Sequence, residues 1–260
     1  MRTLFKRYYR KYKMKRAIQL AEKPSYVLPN NIKRIYHVHI RKSAGTSLNA
    51  AFWSLGNLSL QKLKREPISI GKKLAFVRNN KDLIEQGNYF YANSHTPFWN
   101  LNLPENTFTY CMLRDPYKRL VSLYKYYNWV AQTPEKEALK AEPYYNSLIK
   151  HVHWLGDCFS DFLDTIPKKH IANQLFMFSE NYRIDEAVLN IKKVNKIYFQ
   201  EEFDVAISDL SETLKLPLKS NRERKFGEVT FSISSKEKEK AMELLKDEYE
   251  FYNLVKNTFN

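Results

Sequence analysis

The chain has 260 residues, 43% of them hydrophobic and 15% aromatic, which argues for a globular protein with one large domain rather than two small ones. Its apolar runs are far too short to cross a bilayer and its start lacks the apolar stretch of a secretion signal, so it reads as soluble. The formal net charge of +15 points to a partner or substrate carrying negative charge. Two well-separated cysteines, Cys111 and Cys158, read as reduced packing thiols rather than a disulfide framework, which suggests a reducing, cytoplasmic compartment.

In chain order, the first feature is MRTLFKRYYRKYKMKR, basic and aromatic without an acidic residue. A basic N-terminal segment over 1–30 is expected ahead of a single domain over 31–260. The segment could hold a polyanion, lie as a peripheral contact on the acidic inner face of a membrane, or remain a solvated tail. Residues 34–40, RIYHVHI, read as a short strand, and after a loop Leu48, Ala51, Phe52 and Leu55 take the i, i+3, i+4, i+7 spacing of an amphipathic helix. NYFYAN at 88–93 and TFTYCML at 107–113 read as buried strands. The second runs straight into a helix with Asp115 as N-cap, Pro116 in its first turn, and Leu120, Leu123, Tyr124 and Tyr127 as the buried stripe.

WLGDCFSDFLDTI and IDEAVLNIKKV carry helical spacing, KIYFQ at 196–200 reads as a strand, and EEFDVAISDLSETLKL as another helix. The last helix is expected to begin at Ser234, with Glu237 closing a capping box, and to turn Ala241, Leu244, Leu245, Tyr252 and Val255 inward. Strands alternating with helices imply an α/β layer fold with a largely parallel sheet. Its binding crevice should lie beyond the carboxyl ends of the strands.

That placement gives meaning to HIRKSAGTSL at 39–48. Amides at a helix N-terminus carry partial positive charge, Gly45 admits a phosphate closely, and Thr46 and Ser47 add hydroxyl donors. A kinase or ATPase loop would read GxxxxGK[ST], with its lysine after the glycines. Here Lys42 precedes Gly45, at the mouth of the strand, where its ammonium can reach an oxygen between a phosphate and a group being transferred. Arg114 leaves the later strand at its carboxyl end and Ser122 follows eight residues on, so both could meet one further phosphate. Two anion sites at neighbouring strand ends suggest a nucleoside with phosphate at both ends.

HIRKSAGTSL resembles the 5′-phosphosulfate loop, and LRDPYKRLVSLY the 3′-phosphate motif, of sulfotransferases that use 3′-phosphoadenosine 5′-phosphosulfate (PAPS). The likeness is to carbohydrate sulfotransferases related to the heparan sulfate 2-O- and 6-O-enzymes and to bacterial relatives, and it extends less sharply over most of 34–255. It implies a P-loop NTPase-like three-layer fold, a mainly parallel sheet flanked by helices. By resemblance Lys42 contacts the bridging oxygen, the loop of Arg41, Ser43, Ala44, Gly45, Thr46 and Ser47 wraps the 5′-phosphate, and Arg114 and Ser122 take the 3′-phosphate. His95 in YANSHTPFW becomes the base, and Arg222 or Arg224 would close over the nucleotide. Arg41 stands where a proline is usual, and HIANQLFMFSE only faintly matches the substrate segment, which leaves Asn173 and Gln174 unassigned.

The resemblance implies PAPS as donor and PAP as product, no metal, and a carbohydrate acceptor, either polysaccharide or glycolipid, with no specific nucleic acid. Sulfuryl transfer is an in-line displacement, so the acceptor hydroxyl must be oriented and deprotonated and the leaving phosphate oxygen stabilised. Lys42 suits the last task, and a His95 near the ordinary imidazole value of about 6.5 suits the second. The H-x-H pairs His37/His39 and His151/His153 lack third and fourth ligands at suitable spacing for zinc. Trp99, close after His95, is the tryptophan best placed to stack on an acceptor. Two other classes fit parts of the pattern. A P-loop kinase would need the absent Walker lysine, and a non-catalytic polyanion-binding protein would not need paired phosphate motifs.

Overall fold

The computed structural model describes residues 2–61, 63, 66–142, 144–220 and 231–259. Six strands, β1 (Arg34–Val38), β2 (Ile68–Gly71), β3 (Leu74–Arg78), β4 (Tyr91–Ser94), β5 (Thr107–Leu113) and β6 (Lys196–Phe199), form one sheet in the order β2-β3-β4-β1-β5-β6. All neighbours pair parallel except β2 and β3, which form an antiparallel hairpin. The central β1 sets Ile35 opposite both Tyr91 and Phe108, and the period of two sends alternate residues to opposite faces. Thus Ile35 joins one core layer while Tyr36 and Val38 join the other.

Four helices flank the first five strands: α1 (Arg2–Glu22), α2 (Gly45–Leu55), α3 (Lys81–Gln86) and α4 (Pro116–Gln132). On one face Leu48 and Phe52 of α2 pack with Leu210 and Leu214 of the helix Phe203–Leu214 against Tyr91 and Tyr110. On the other, Leu83 and Ile84 of α3 and Phe251 and Val255 of the helix Lys246–Phe259 pack on Tyr36, Val38 and Cys111. The result is the three-layer, mainly parallel α/β arrangement that the alternation predicts. A further cluster gathers Leu120 and Tyr124 of α4 with Phe159, Phe162 and Leu245 beside the sheet.

Strand β5 and helix α4 form as expected: Asp115 accepts from the Lys118 amide at 2.8 Å, and Leu120, Leu123, Tyr124 and Tyr127 are buried. The hairpin β2–β3 was not anticipated, because its turn places Lys72 and Lys73 at φ 43° and 61°, a pair of left-handed positions usually announced by Asn or Gly. Strand β4 begins three residues later than NYFYAN suggests. The C-terminal helix keeps its Ser234–Glu237 capping box but breaks at Leu245 into Ser235–Leu244 and Lys246–Phe259. The break re-phases the stripe, so Leu245 is buried and Leu244, expected inward, is exposed.

WLGDCFSDFLDTI is likewise split, by Gly156 at φ 58°, and only Phe159–Thr165 is α-helical. Cys158, just outside that helix, is exposed instead of packed, whereas Cys111 is buried. The basic N-terminal stretch is helical, and its second half is packed: Ala17 and Leu20 are buried, and Met14 lies against the sheet-side core.

Candidate functional site

The parallel strands end on one side of the sheet, and the residues that follow them line a single cleft of about 570 Å³, within the usual range for ligand pockets. Across the cleft the strand order fixes the sequence of its walls. Arg78 ends β3 and Asn79 follows it, His95 follows β4, the loop 39–47 follows β1, Arg114 follows β5 and Gln200 follows β6.

In the loop after β1, Lys42 and Ala44 take left-handed φ values of 65° and 55°, which turn the chain sharply into α2. Gly45 opens that helix, and a Cβ there would lie 2.1 Å from atoms of the His39 ring. Glycine is therefore required by His39 as well as by any approaching ligand. Arg41, Lys42, Ala44, Gly45, Thr46 and Ser47 all border the cleft, so the first turn of α2 faces it. Ser43 does not: it is buried, and its hydroxyl has no hydrogen-bond partner among the described residues. The Lys42 ammonium lies 4.2 Å from the centroid of the Tyr126 ring on α4, and the Tyr126 hydroxyl donates to Glu142 at 2.8 Å.

Two side chains fasten this loop from outside. The Asn173 carboxamide oxygen accepts from the Arg41 amide at 3.1 Å, and an Arg114 guanidinium nitrogen donates to the Lys42 carbonyl at 3.0 Å. Arg114 is itself held by Gln174, which accepts from its amide at 2.8 Å and donates to its carbonyl at 2.9 Å. Gln174 also donates to Glu248, whose same oxygen takes Arg119 Nε at 3.0 Å in an ion pair with no side-chain exposure. Arg119 donates further to the carbonyls of His170 and Ile171. Asn173 and Gln174 thus position the two strand-to-helix junctions. Burial pushes the Glu248 carboxyl up, with Arg119 opposing.

The second junction brings Arg114 and, one helical face away, Ser122 to the cleft. Arg114 Nε is buried with no hydrogen-bond partner among the described residues, as expected of a donor kept for an incoming oxyanion. Arg222 and Arg224 lie outside the described residues.

His95 sits between the two halves. Its Nδ1 is 2.7 Å from the His39 carbonyl, and since a carbonyl only accepts, Nδ1 carries the proton and Nε2 keeps its lone pair. The ring packs 4.3 Å from that of His39. Its pKa is not the ordinary one assumed from sequence: burial first, then the neighbouring Arg41 charge, hold it well below 6.5. His37 is fully inside, bonded to Asn49 at 2.8 Å and stacked on Tyr110, and burial lowers it to about 4. His151 and His153 pack around Trp154. No group of three or more His, Cys, Asp or Glu placed to hold a metal ion occurs among the described residues.

The far end of the cleft was not read from sequence. Arg78 lies between the rings of Trp53 and Tyr144, with Asn93 beside it at the end of β4. Trp99, expected to face an acceptor, instead donates its indole N–H to the Phe176 carbonyl at 2.8 Å and is not a wall of the cleft. Trp53 borders the cleft instead, and nothing in its spacing on α2 separates it from a core residue.

A parallel sheet whose β1 and β5 junctions turn a helix start, a lysine and an arginine into one cleft defines a P-loop-like α/β protein that handles an anion. The sulfotransferase family matches residues 27–255, and the chain belongs to that family; its chemistry is sulfuryl transfer. No curated protein and no solved structure matches the chain significantly.

Proposed function

We propose that the protein transfers the sulfuryl group of PAPS to a hydroxyl of a carbohydrate acceptor. The observation that supports this reading is the bond from Arg114 to the Lys42 carbonyl, which joins the two strand-to-helix junctions across 72 residues at one cleft. The unpartnered Arg114 Nε and the α2 start fit a nucleotide with a phosphate at each end. Lys42, Gly45, Thr46 and Ser47 would bind the 5′ end, with Arg41 beside them, and Arg114 and Ser122 the 3′-phosphate.

His95 Nε2 would accept the proton of the acceptor hydroxyl as its oxygen bonds to sulfur, and the bond from sulfur to the phosphate oxygen breaks. Lys42 would stabilise the charge that grows on that leaving oxygen. Because His95 is held neutral by burial and by Arg41, it is ready to accept a proton at neutral pH. The acceptor is a polysaccharide or glycolipid and the setting cytoplasmic. The exposed Tyr8, Tyr12, Lys11 and Lys15 of α1 offer a peripheral contact to an acidic membrane face.

Thermal unfolding with added nucleotide tests the donor. PAP should raise Tm through linkage, and ATP with magnesium far less. Arg114→Ala should weaken PAP at least tenfold more, the scale of one charge-assisted hydrogen bond, than it weakens adenosine 5′-phosphosulfate, which lacks the 3′-phosphate and feels only the loosened Lys42 carbonyl. An equal shift by ATP with magnesium would favour a kinase, and equal losses for both ligands would refute the 3′ assignment.

A further inference from the structure

The H-x-H pair His37 and His39 stands between the core and His95. Two residues apart on an extended stretch, the pair faces one way, and there Tyr110, His37, His39 and His95 form a column of rings. Successive centroids lie 4.7, 5.0 and 4.3 Å apart, and the planes open from 1° through 20° to 38°. The column starts at Tyr110, fully buried in the sheet, and ends at the cleft, which His39 and His95 both border.

Asn49, one turn along α2 from Gly45, ties the two middle rings together. Its Oδ1 accepts from the Tyr91 hydroxyl at 2.5 Å and lies 2.8 Å from His37 Nδ1, while its Nδ2 lies 3.3 Å from His39 Nδ1. A separation of 2.5 Å suits O–H···O and is too short for N–H···O, so the carboxamide oxygen faces Tyr91 and the nitrogen faces His39. His37 Nδ1 therefore carries a proton, whereas His39 Nδ1 accepts and leaves the proton of its neutral ring on Nε2. Tyr91 donates to Asn49, so at 2.9 Å it accepts from the Tyr110 hydroxyl. Asn49, His37, Tyr91 and Tyr110 are all buried, and such a network is costly unless its bonds are complete. An apolar side chain at position 49 would join α2 to the sheet without that cost, which points to a task beyond packing.

His39 is confined on two sides. A Cβ at Gly45 would lie 2.1 Å from its Cδ2 and Nε2, and on the other side His95 packs against its ring and donates Nδ1–H to its carbonyl at 2.7 Å. A ring released from Asn49 has no room toward Gly45 and presses on His95. We propose that Asn49 is a positioning residue for His95: by pinning His37 and His39 it fixes the end of the column and so aims His95 Nε2 into the cleft. This rests on the reading of His95 as the base and gives the H-x-H pair a part in it.

Nitrogen-15 NMR of the full chain, through couplings that report which imidazole nitrogen is protonated, should show His39 protonated at Nε2 and His95 at Nδ1. In Asn49→Ala the His39 ring should become a mixture of tautomers, and the His95 Nδ1 proton should exchange with water about tenfold faster. Release of labelled sulfate from PAPS, with water as acceptor, should fall roughly ten- to a hundredfold, the scale of a misaimed group, while PAP affinity by calorimetry stays within about threefold. Asn49→Asp keeps one oxygen toward Tyr91 and His37 and offers the other to His39 Nδ1. It should move the His39 proton to Nδ1 yet hold His95 exchange and sulfate release within about threefold of the parent. Should Asn49→Ala fail to fold, Tyr91→Phe, which removes one donor to the carboxamide and keeps the ring, should give the same changes in weaker form. A parent His39 protonated at Nδ1 overturns the proposal, as does a His95 signal that neither Asn49→Ala nor Tyr91→Phe alters. So does an Asn49→Asp as impaired as Asn49→Ala, or a PAP affinity that falls in step with sulfate release. The spectra need no nucleotide and decide the matter even where water is a poor acceptor. Failure of the parent to bind PAP would refute the donor assignment instead, so the two readings fall separately.

Discussion

Lys42 and Arg114 reach the cleft from two continuous stretches of chain, 39–47 and 113–122, each a strand running into its own helix, whereas Arg78, Asn93, Trp53 and Tyr144 arrive from four. The first half is a local device. Left-handed turns at Lys42 and Ala44, a helix start and an N-cap at Asp115 are decided by neighbours in sequence. The second half exists only once β3 and β4 are paired and the segment around Tyr144 has folded back over Arg78. In such a protein the two strand-to-helix junctions are written in motifs, and the far wall of the cleft is assembled by tertiary structure.

Substitutions at the seam between the halves test whether they work as one machine. His95→Ala should lower kcat by roughly a hundred- to ten-thousandfold, the range of general base catalysis, with PAP and acceptor affinities little changed. Lys42→Ala should lower kcat about a hundredfold or more while PAP binding changes less. Steady-state kinetics beside PAP titration reads both. A variant that keeps its turnover removes that residue from the chemistry, and one that instead loses acceptor binding alone would move His95 into the second half.

The scaffold beneath the first half is probed by Glu248→Ala. Removing the carboxylate leaves Arg119 charged and uncompensated in the interior, a loss of about 3–5 kcal/mol in urea unfolding. Gln174 also loses its anchor, so PAP affinity should fall with Arg114 misplaced. Stability lost with PAP affinity intact would show that Gln174 holds Arg114 unaided.

The gentlest test concerns pH. A base held below the ordinary imidazole range stays unprotonated as pH falls past about 6.5, so kcat/KM should hold there and decline only at lower pH. Arg41→Ala removes a positive neighbour, favours the imidazolium and should move that acid limb upward, toward the ordinary value. A limb that does not move would leave burial alone as the cause.

The alternation of strands and helices, the core stripe of α4 and both strand-to-helix junctions were legible because each depends on residues a few positions apart. Asn173 and Gln174 could be seen but not interpreted, since their partners lie at Arg41, Arg114 and Glu248, 60 to 132 residues away. The hairpin escaped notice because two lysines occupy a turn that usually advertises itself with Asn or Gly. His95 was found by its place after β4, but its lowered pKa depends on burial and on Arg41, which no spacing reveals. That Trp53 borders the cleft and Trp99 is fastened to Phe176 was not legible, because an indole on a helix face looks alike whether it fills a core or walls a cavity.

Helix α1 has a consequence for how the protein must be handled. It precedes the matched stretch 27–255, yet Met14 and Ala17 lie against Ile68 and Val77 of the hairpin, and Lys13 donates to the Ile68 carbonyl at 3.2 Å. β2 is the last strand on its side of the sheet, and such a border, once stripped of its cover, invites a second chain to add its own strand. A protein trimmed to the family's limits would bare an apolar face beside that border and clump on expression. By this packing α1 shields the border strand, and its removal should show first as aggregation.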